Sequence, residues 1–119
     1  MYIVFDFETT GLEADKEQVI EIASAKLDEN LNPIDTFTTL VALEEGRKLP
    51  QFIRQLTGIT AEDLEGQMPE PEAMAKLKEF IGDSIVVAQF ASFDLSFLAK
   101  VLVPEKFICT RSMARLLRP

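Results

Sequence analysis

A chain of 119 residues with 12 Lys and Arg against 20 Asp and Glu, no histidine and a net charge of -8 is long enough for one folded domain, and too acidic to hold a polyanion by overall charge alone. Its 47% hydrophobic and 27% charged residues exclude a disordered chain, and no apolar run reaches the length of a membrane span. The N-terminus lacks a signal peptide's basic start and apolar stretch and the lone cysteine, Cys109, cannot form an internal disulfide, so the expectation is one cytoplasmic domain over residues 1–119 with no membrane partner.

The first element, YIVFDF, is built from β-branched and aromatic residues, the composition of a strand covered on both faces. With period-2 alternation, Asp6 and Glu8 project from the same face. Two acids in one patch repel, unless one is protonated, water reaches them, or a cation sits between them. A bare Asp-x-Glu also fits a strand that ends at Phe7, with Glu8 opening a solvated loop. Gly11 then marks a break, and residues 13–18, EADKEQ, are polar enough for an exposed loop. VIEIASAKLD over 19–28 and IDTFTTLVAL over 34–43 predict two further strands around the turn ENLNP, an antiparallel meander.

QFIRQL predicts a short helix running into TGIT, where Thr60 with Asp63 three residues on predicts a helix N-cap. EPEAMAKLKEFIG, residues 70–82, predicts a helix with Pro71 in its first turn, Met74, Leu77 and Ile81 on one face and Gly82 as the stop. A buried strand over 85–90, a helix over 92–102, a short strand at FICT with Cys109 as a small buried hydrophobe, and a helix over RSMARLL complete the order. The expected fold is α/β: a three-strand antiparallel meander followed by αβαβα, forming a mixed sheet with helices on both faces and the first strand at its centre.

Charge is uneven along the chain. Residues 1–99 hold 7 Lys and Arg against 19 Asp and Glu, whereas residues 100–119 carry five basic residues against Glu105 alone. Arg111, Arg115 and Arg118 would form one stripe on a helix, which an ordinary solvated face also explains. An acidic protein still binds a phosphodiester where divalent cations neutralise its site. A third acid, Asp94, opens the helix after the fourth strand. It could meet Asp6 and Glu8 if the first and fourth strands are neighbours, though a lone Asp in a first helical turn is more commonly a partner of the helix dipole.

FDFETTG, followed about eighty residues later by FDLSFL, resembles the first two motifs of the DEDD exonuclease superfamily. VIEIASAKL, LTGIT and the CT...ARLL pattern are similar to its proofreading branch, the epsilon-subunit-like exonucleases of bacterial DNA polymerases. The resemblance covers nearly the whole chain. It implies a ribonuclease H-like fold and a 3′-to-5′ exonuclease that removes nucleotides from nucleic-acid 3′ ends by two-metal-ion phosphodiester hydrolysis, in replication or repair. It implies two divalent cations, Mg or Mn, about 3.5 to 4 Å apart. Asp6 would bridge both, with Glu8 and Asp94 each completing a shell. Thr9 and Thr10 would touch the terminal nucleotide through backbone N–H and hydroxyl groups, and Leu12 and Phe97 would pack on its base. For Phe93 and Phe97, at i and i+4, helix core is an equally good account.

The chain departs from the family at two places. The second motif reads QFASFD where His-Asn-x-x-Phe-Asp is common, putting Gln89 and Phe90 in the polar positions. The third motif, a general-base His with the fourth carboxylate five residues on, has no counterpart: the 119 residues hold no histidine, Tyr2 lies upstream of the site, and Asp63 and Asp83 lie in loops before the second motif. The expectation is thus a domain incomplete at its C-terminus, lacking the family's last helix, with activity lowered by at least the roughly 100- to 10,000-fold that general acid–base catalysis supplies. The alternative is a non-catalytic metal- or nucleic-acid-binding module of the same fold. The expected partners are a nucleic-acid 3′ end, DNA ahead of RNA, and a polymerase or helicase. Self-association is expected through the sheet face that the missing helix leaves uncovered.

Overall fold

The strand β1, Tyr2–Thr9, runs two residues beyond Phe7, so Glu8 belongs to the sheet and not to a loop. The computed structural model describes residues 1–88, 91–104 and 107–109, apart from the side chains of Ala91 and Cys109. β1 pairs antiparallel with β2, Val19–Leu27, which pairs antiparallel with β3, Pro33–Leu40. On its other side β1 pairs in parallel with β4, Ile85–Ala88, and β4 with β5, Phe107–Cys109. The sheet order is β3-β2-β1-β4-β5, which places β1 at the centre and beside β4, as the element order predicts.

Alternation along β1 sorts its side chains cleanly. Ile3, Phe5 and Phe7 are buried, while Val4, at 40% exposure, and Asp6 face outward. The expectation of a strand covered on both faces is therefore corrected: among the described residues the Val4–Asp6 side of the sheet is open. The inward side meets two helices. α3, Glu70–Ile81, buries Ala73, Met74, Leu77 and Ile81, whose spacing of three and four residues makes one stripe. Its large side chains are each worth about 1.5–3 kcal/mol of burial. α4, Ala91–Leu98, adds Phe97 and Leu98 to the same cluster.

The ladder between β1 and β2 slips by one residue just past Glu8. Glu8 faces Glu21 and Thr9 faces Val19, which leaves Ile20 as a bulge. The extra residue sends consecutive apolar side chains to different places. Val19 joins the main core, whereas Ile20 packs with Leu40, Leu43, Leu49, Ile53, Ile59 and Leu64 in a second cluster built by α1, Gln51–Thr57, and α2, Ala61–Leu64. Leu40 faces Glu21 across the β2–β3 ladder, so this second cluster borders the open side. α1 and α2 thus pack where Ile20 and Leu40 meet, while α3 and α4 cover the inward side. α1 stops at Gly58, whose φ of 77° needs a residue without a Cβ, and α2 opens on the expected cap: the Thr60 side chain accepts the Asp63 N–H while Asp63 accepts the Thr60 N–H.

Three boundaries differ from expectation. β3 begins at Pro33 and ends at Leu40, with Val41 continuing only as a single bridge to Met68. α4 ends at Leu98, not Leu102, because its last turn tightens to i→i−3 bonds from Lys100 and Val101. The segment 13–18 is not an exposed loop throughout, since Gln18 is fully buried and bonded to the Val19 and Ala42 carbonyls and the Glu44 N–H. Gln89, Phe90, the helix expected over RSMARLL with Arg111, Arg115 and Arg118, and the buried state of Cys109 lie outside the described residues. Among the described residues no helix is long and apolar enough to cross a membrane.

Candidate active site

Asp6 and Glu8 stand one pleat apart on the open side of the central strand, and the cross-strand neighbour of Glu8 is a third acid, Glu21. Asp6 borders a shallow hollow of about 450 Å³ lined by Val4, Ala23, Ala25, Thr38 and Val87. Burial raises the Glu8 carboxyl above its ordinary range, and the negative charges of Asp6 and Glu21 raise it further. Glu21 was not foreseen. Its signal in the sequence was the register that sets VIEI against FET, which only the bulge fixes.

Asp94 lies in the first turn of α4 and is 2% exposed. Its helix follows β4, the parallel neighbour of β1, which is the adjacency that convergence requires. The three acids are nevertheless not gathered into one set: among the described residues, no group of three or more His, Cys, Asp or Glu side chains could hold a metal ion. By donor chemistry Asp6 and Glu8 suit a hard divalent cation, since both offer carboxylate oxygens and Glu8 is held where a positive charge relieves it. The fit rests on that pair.

The loop after β1 is built from the threonines that follow the acids. Thr9 Oγ1 donates to the Gly11 carbonyl at 2.6 Å. Thr10 donates its N–H to the Gln18 carbonyl at 2.9 Å and its hydroxyl to Glu17 Oε1 at 2.9 Å, and its hydroxyl accepts the Gln18 N–H at 3.0 Å. Both are buried, and these donors serve the loop's own closure. At Gly11 the backbone passes close to the Glu17 side chain: a Cβ there would come within 2.6 Å of its carboxylate, which also binds Arg47 at 3.3 Å, so a larger residue would have to displace Glu17.

Leu12 and Phe97, expected together against a base, part company. Leu12 is 83% exposed at the loop's tip, whereas Phe97 is fully buried, with the Phe93 ring centroid 5.2 Å away and the Lys100 ammonium 5.3 Å from its ring. Phe97 belongs to the core cluster. The i, i+4 aromatic pair fitted both accounts, and its burial supports the core one.

The profile of a family described as RNase_T, Exonuclease, matches residues 3–116. The chain is 38% identical over 102 residues to a PolC-type DNA polymerase III of Clostridium perfringens, covering 86% of this chain and 7% of that one. It is 34% identical over 125 residues to the DNA polymerase III epsilon subunit of Aquifex aeolicus, covering 99% of this chain and 60% of that one. The chain thus spans a small part of the PolC-type relatives and somewhat over half of the epsilon subunit. Among solved structures, a product-bound exonuclease I superposes with a TM-score of 0.86 at 14% identity, over 99% of this chain and 32% of that one, a likeness of fold. Exonuclease X in complex with 5′-overhanging duplex DNA superposes with a TM-score of 0.76 at 25% identity, over the whole of this chain and 65% of that one.

Proposed function

The chain belongs to this exonuclease family, in the epsilon-like branch of the DEDD superfamily, and from that premise we propose that it acts on nucleic-acid 3′ ends, DNA ahead of RNA, as a 3′-to-5′ exonuclease. The observation that carries the reading is the pair Asp6 and Glu8 on the open side of the central strand, beside the strand whose following helix bears Asp94. Asp6, Glu8 and Asp94 would hold two divalent cations, Mg or Mn. Such ions, when bound, lower the pKa of a water and stabilise the leaving oxygen of a phosphodiester.

The chain's own residues supply charge and shape. Asp6 offers a carboxylate at the hollow, Glu8 a second that gains from a nearby cation, and Glu21 adds to the negative field that attracts one. Thr9, Thr10, Gly11 and Glu17 hold the loop that carries Leu12 into solvent, where Leu12 would meet the terminal base. Residues 1–119 contain no histidine to serve as general base, so the polypeptide assayed by itself should turn over about 100- to 10,000-fold below a relative that has one.

A second reading, a non-catalytic module that binds metal or a nucleic-acid end, is favoured by the same lack of histidine and by the absence, among the described residues, of a group of three acids that could hold a metal ion. The two separate in one experiment on single-stranded DNA carrying a 3′ label, with Mn2+ or EDTA. Stepwise loss of 3′ nucleotides that needs Mn2+ and vanishes in Asp6→Ala supports the enzyme. A melting temperature raised by Mn2+ in the parent but not in Asp6→Ala, with the DNA intact, supports the module. No cleavage, no stabilisation and no retention of the labelled DNA removes both. Self-association through the open side of the sheet and a polymerase or helicase as partner belong to the same proposal, and sedimentation of the chain over a range of concentrations tests the first.

A further inference from the structure

Lys100 has no part in the reading above, yet several parts of the fold meet at its ammonium. It donates to both carboxylate oxygens of Glu70 at 3.0 Å and to the main-chain oxygen of Glu17 at 2.8 Å, and it lies over the Phe97 ring. Glu70, 8% exposed at the start of α3, also accepts the Val19 N–H at 2.6 Å, beside the bulge in β2. The end of α4 is thereby fastened to the start of α3, the start of β2 and the loop that follows β1. A largely buried ion pair is a weak source of stability, because desolvation offsets much of its attraction, and fixing one arrangement of the chain is its better-attested use.

Asp94 rides on the helix that Lys100 anchors, with Phe97 one turn further on and beneath the ammonium. We propose that Lys100 and Glu70 are a positioning pair for the cation site: they set how closely α4 approaches β1, and so whether the Asp94 carboxylate reaches an ion held at Asp6 and Glu8. The inference rests on the reading of those three acids as cation ligands.

The test is Mn2+ binding to the 119-residue chain, followed by the paramagnetic signal of the free ion well below the melting temperature of every variant. Lys100→Met and Glu70→Gln should each weaken binding about 10-fold, as losing a group behind a metal ligand does, and Lys100→Arg should recover most of it. Because Lys100 acts through Asp94, Lys100→Met added to Asp94→Asn should cost nothing further. Lys100→Met affinity within about twofold of the parent overturns the proposal, and so does full additivity with Asp94→Asn. Should Lys100→Met fail to fold, Lys100→Gln carries the same comparison. Asp6→Ala separates two failures: if it leaves Mn2+ bound, the cation-site reading falls and takes the proposal with it. If Asp6→Ala abolishes binding while Lys100→Met does not weaken it, the positioning role alone falls.

Discussion

Replacing Phe97 by alanine asks whether this ring is core or substrate platform. The side chain is fully buried within the cluster of Ile3, Phe5, Met74 and Leu77, so truncation removes its transfer free energy and leaves a cavity. Phe→Ala changes at such sites cost about 3–5 kcal/mol. The contacts with the Phe93 ring and the Lys100 ammonium place Phe97 toward the upper end, since each kind of contact is worth about 0.5–1.5 kcal/mol. For a domain of this length 1 kcal/mol moves the melting temperature by about 3–6 °C, so a fall of about 10–25 °C is expected. Thermal and urea unfolding in EDTA measure it, with Phe97→Leu as a milder change that should lose about 1–2 kcal/mol. Leu12→Ala is the contrast: at 83% exposure it should stay within about 0.5 kcal/mol of the parent, while anisotropy with a labelled oligonucleotide reports any loss of affinity. The reasoning is refuted if Phe97→Ala keeps its stability within about 1 kcal/mol yet weakens oligonucleotide binding.

Glu8→Gln should stabilise the metal-free chain at pH 7. The folded state raises the Glu8 carboxyl, so its contribution is present below the unfolded pKa and is lost as pH rises through the folded one; at neutral pH the ionised group is a burden. The gain should be a few tenths of a kcal/mol, the scale of exposed like-charge neighbours, and should vanish below about pH 4. A less stable variant at pH 7 would count against the crowding of Asp6, Glu8 and Glu21. In the β2–β3 turn Leu31 holds a φ of 64° at 63% exposure, so Leu31→Asn should gain about 0.5–1 kcal/mol, seen as a higher urea midpoint at unchanged slope. An unchanged or lower midpoint would show that the leucine side chain offsets the strain.

Element order and the central place of β1 were legible because YIVFDF, VIEIASAKL and EPEAMAKLKEFI each carry one dominant period. The bulge was not, since the consecutive Val19 and Ile20 suit either a strand covered on both sides or a ladder with one residue too many. Gln18 read as a loop residue from its polarity, and only three main-chain partners explain its burial. Within the site, Asp6 and Glu8 share a face by alternation alone. Asp94 sits in the first turn of α4, and the pairing of Lys100 with Glu70 that ties the far end of that helix to α3 spans 30 residues, which no local pattern encodes.

The buried Gln18 amide has a dynamic consequence. Its single side chain bonds both the residue after it and the stretch Ala42–Glu44, while Thr10 grips its main chain, so neither segment can leave without stranding buried polar groups. The loop carrying Leu12 and the exit from β3 should therefore open as one cooperative unit, with a single opening free energy in amide exchange. A displacement of that loop should therefore be read out at the exit from β3, an edge strand of the sheet.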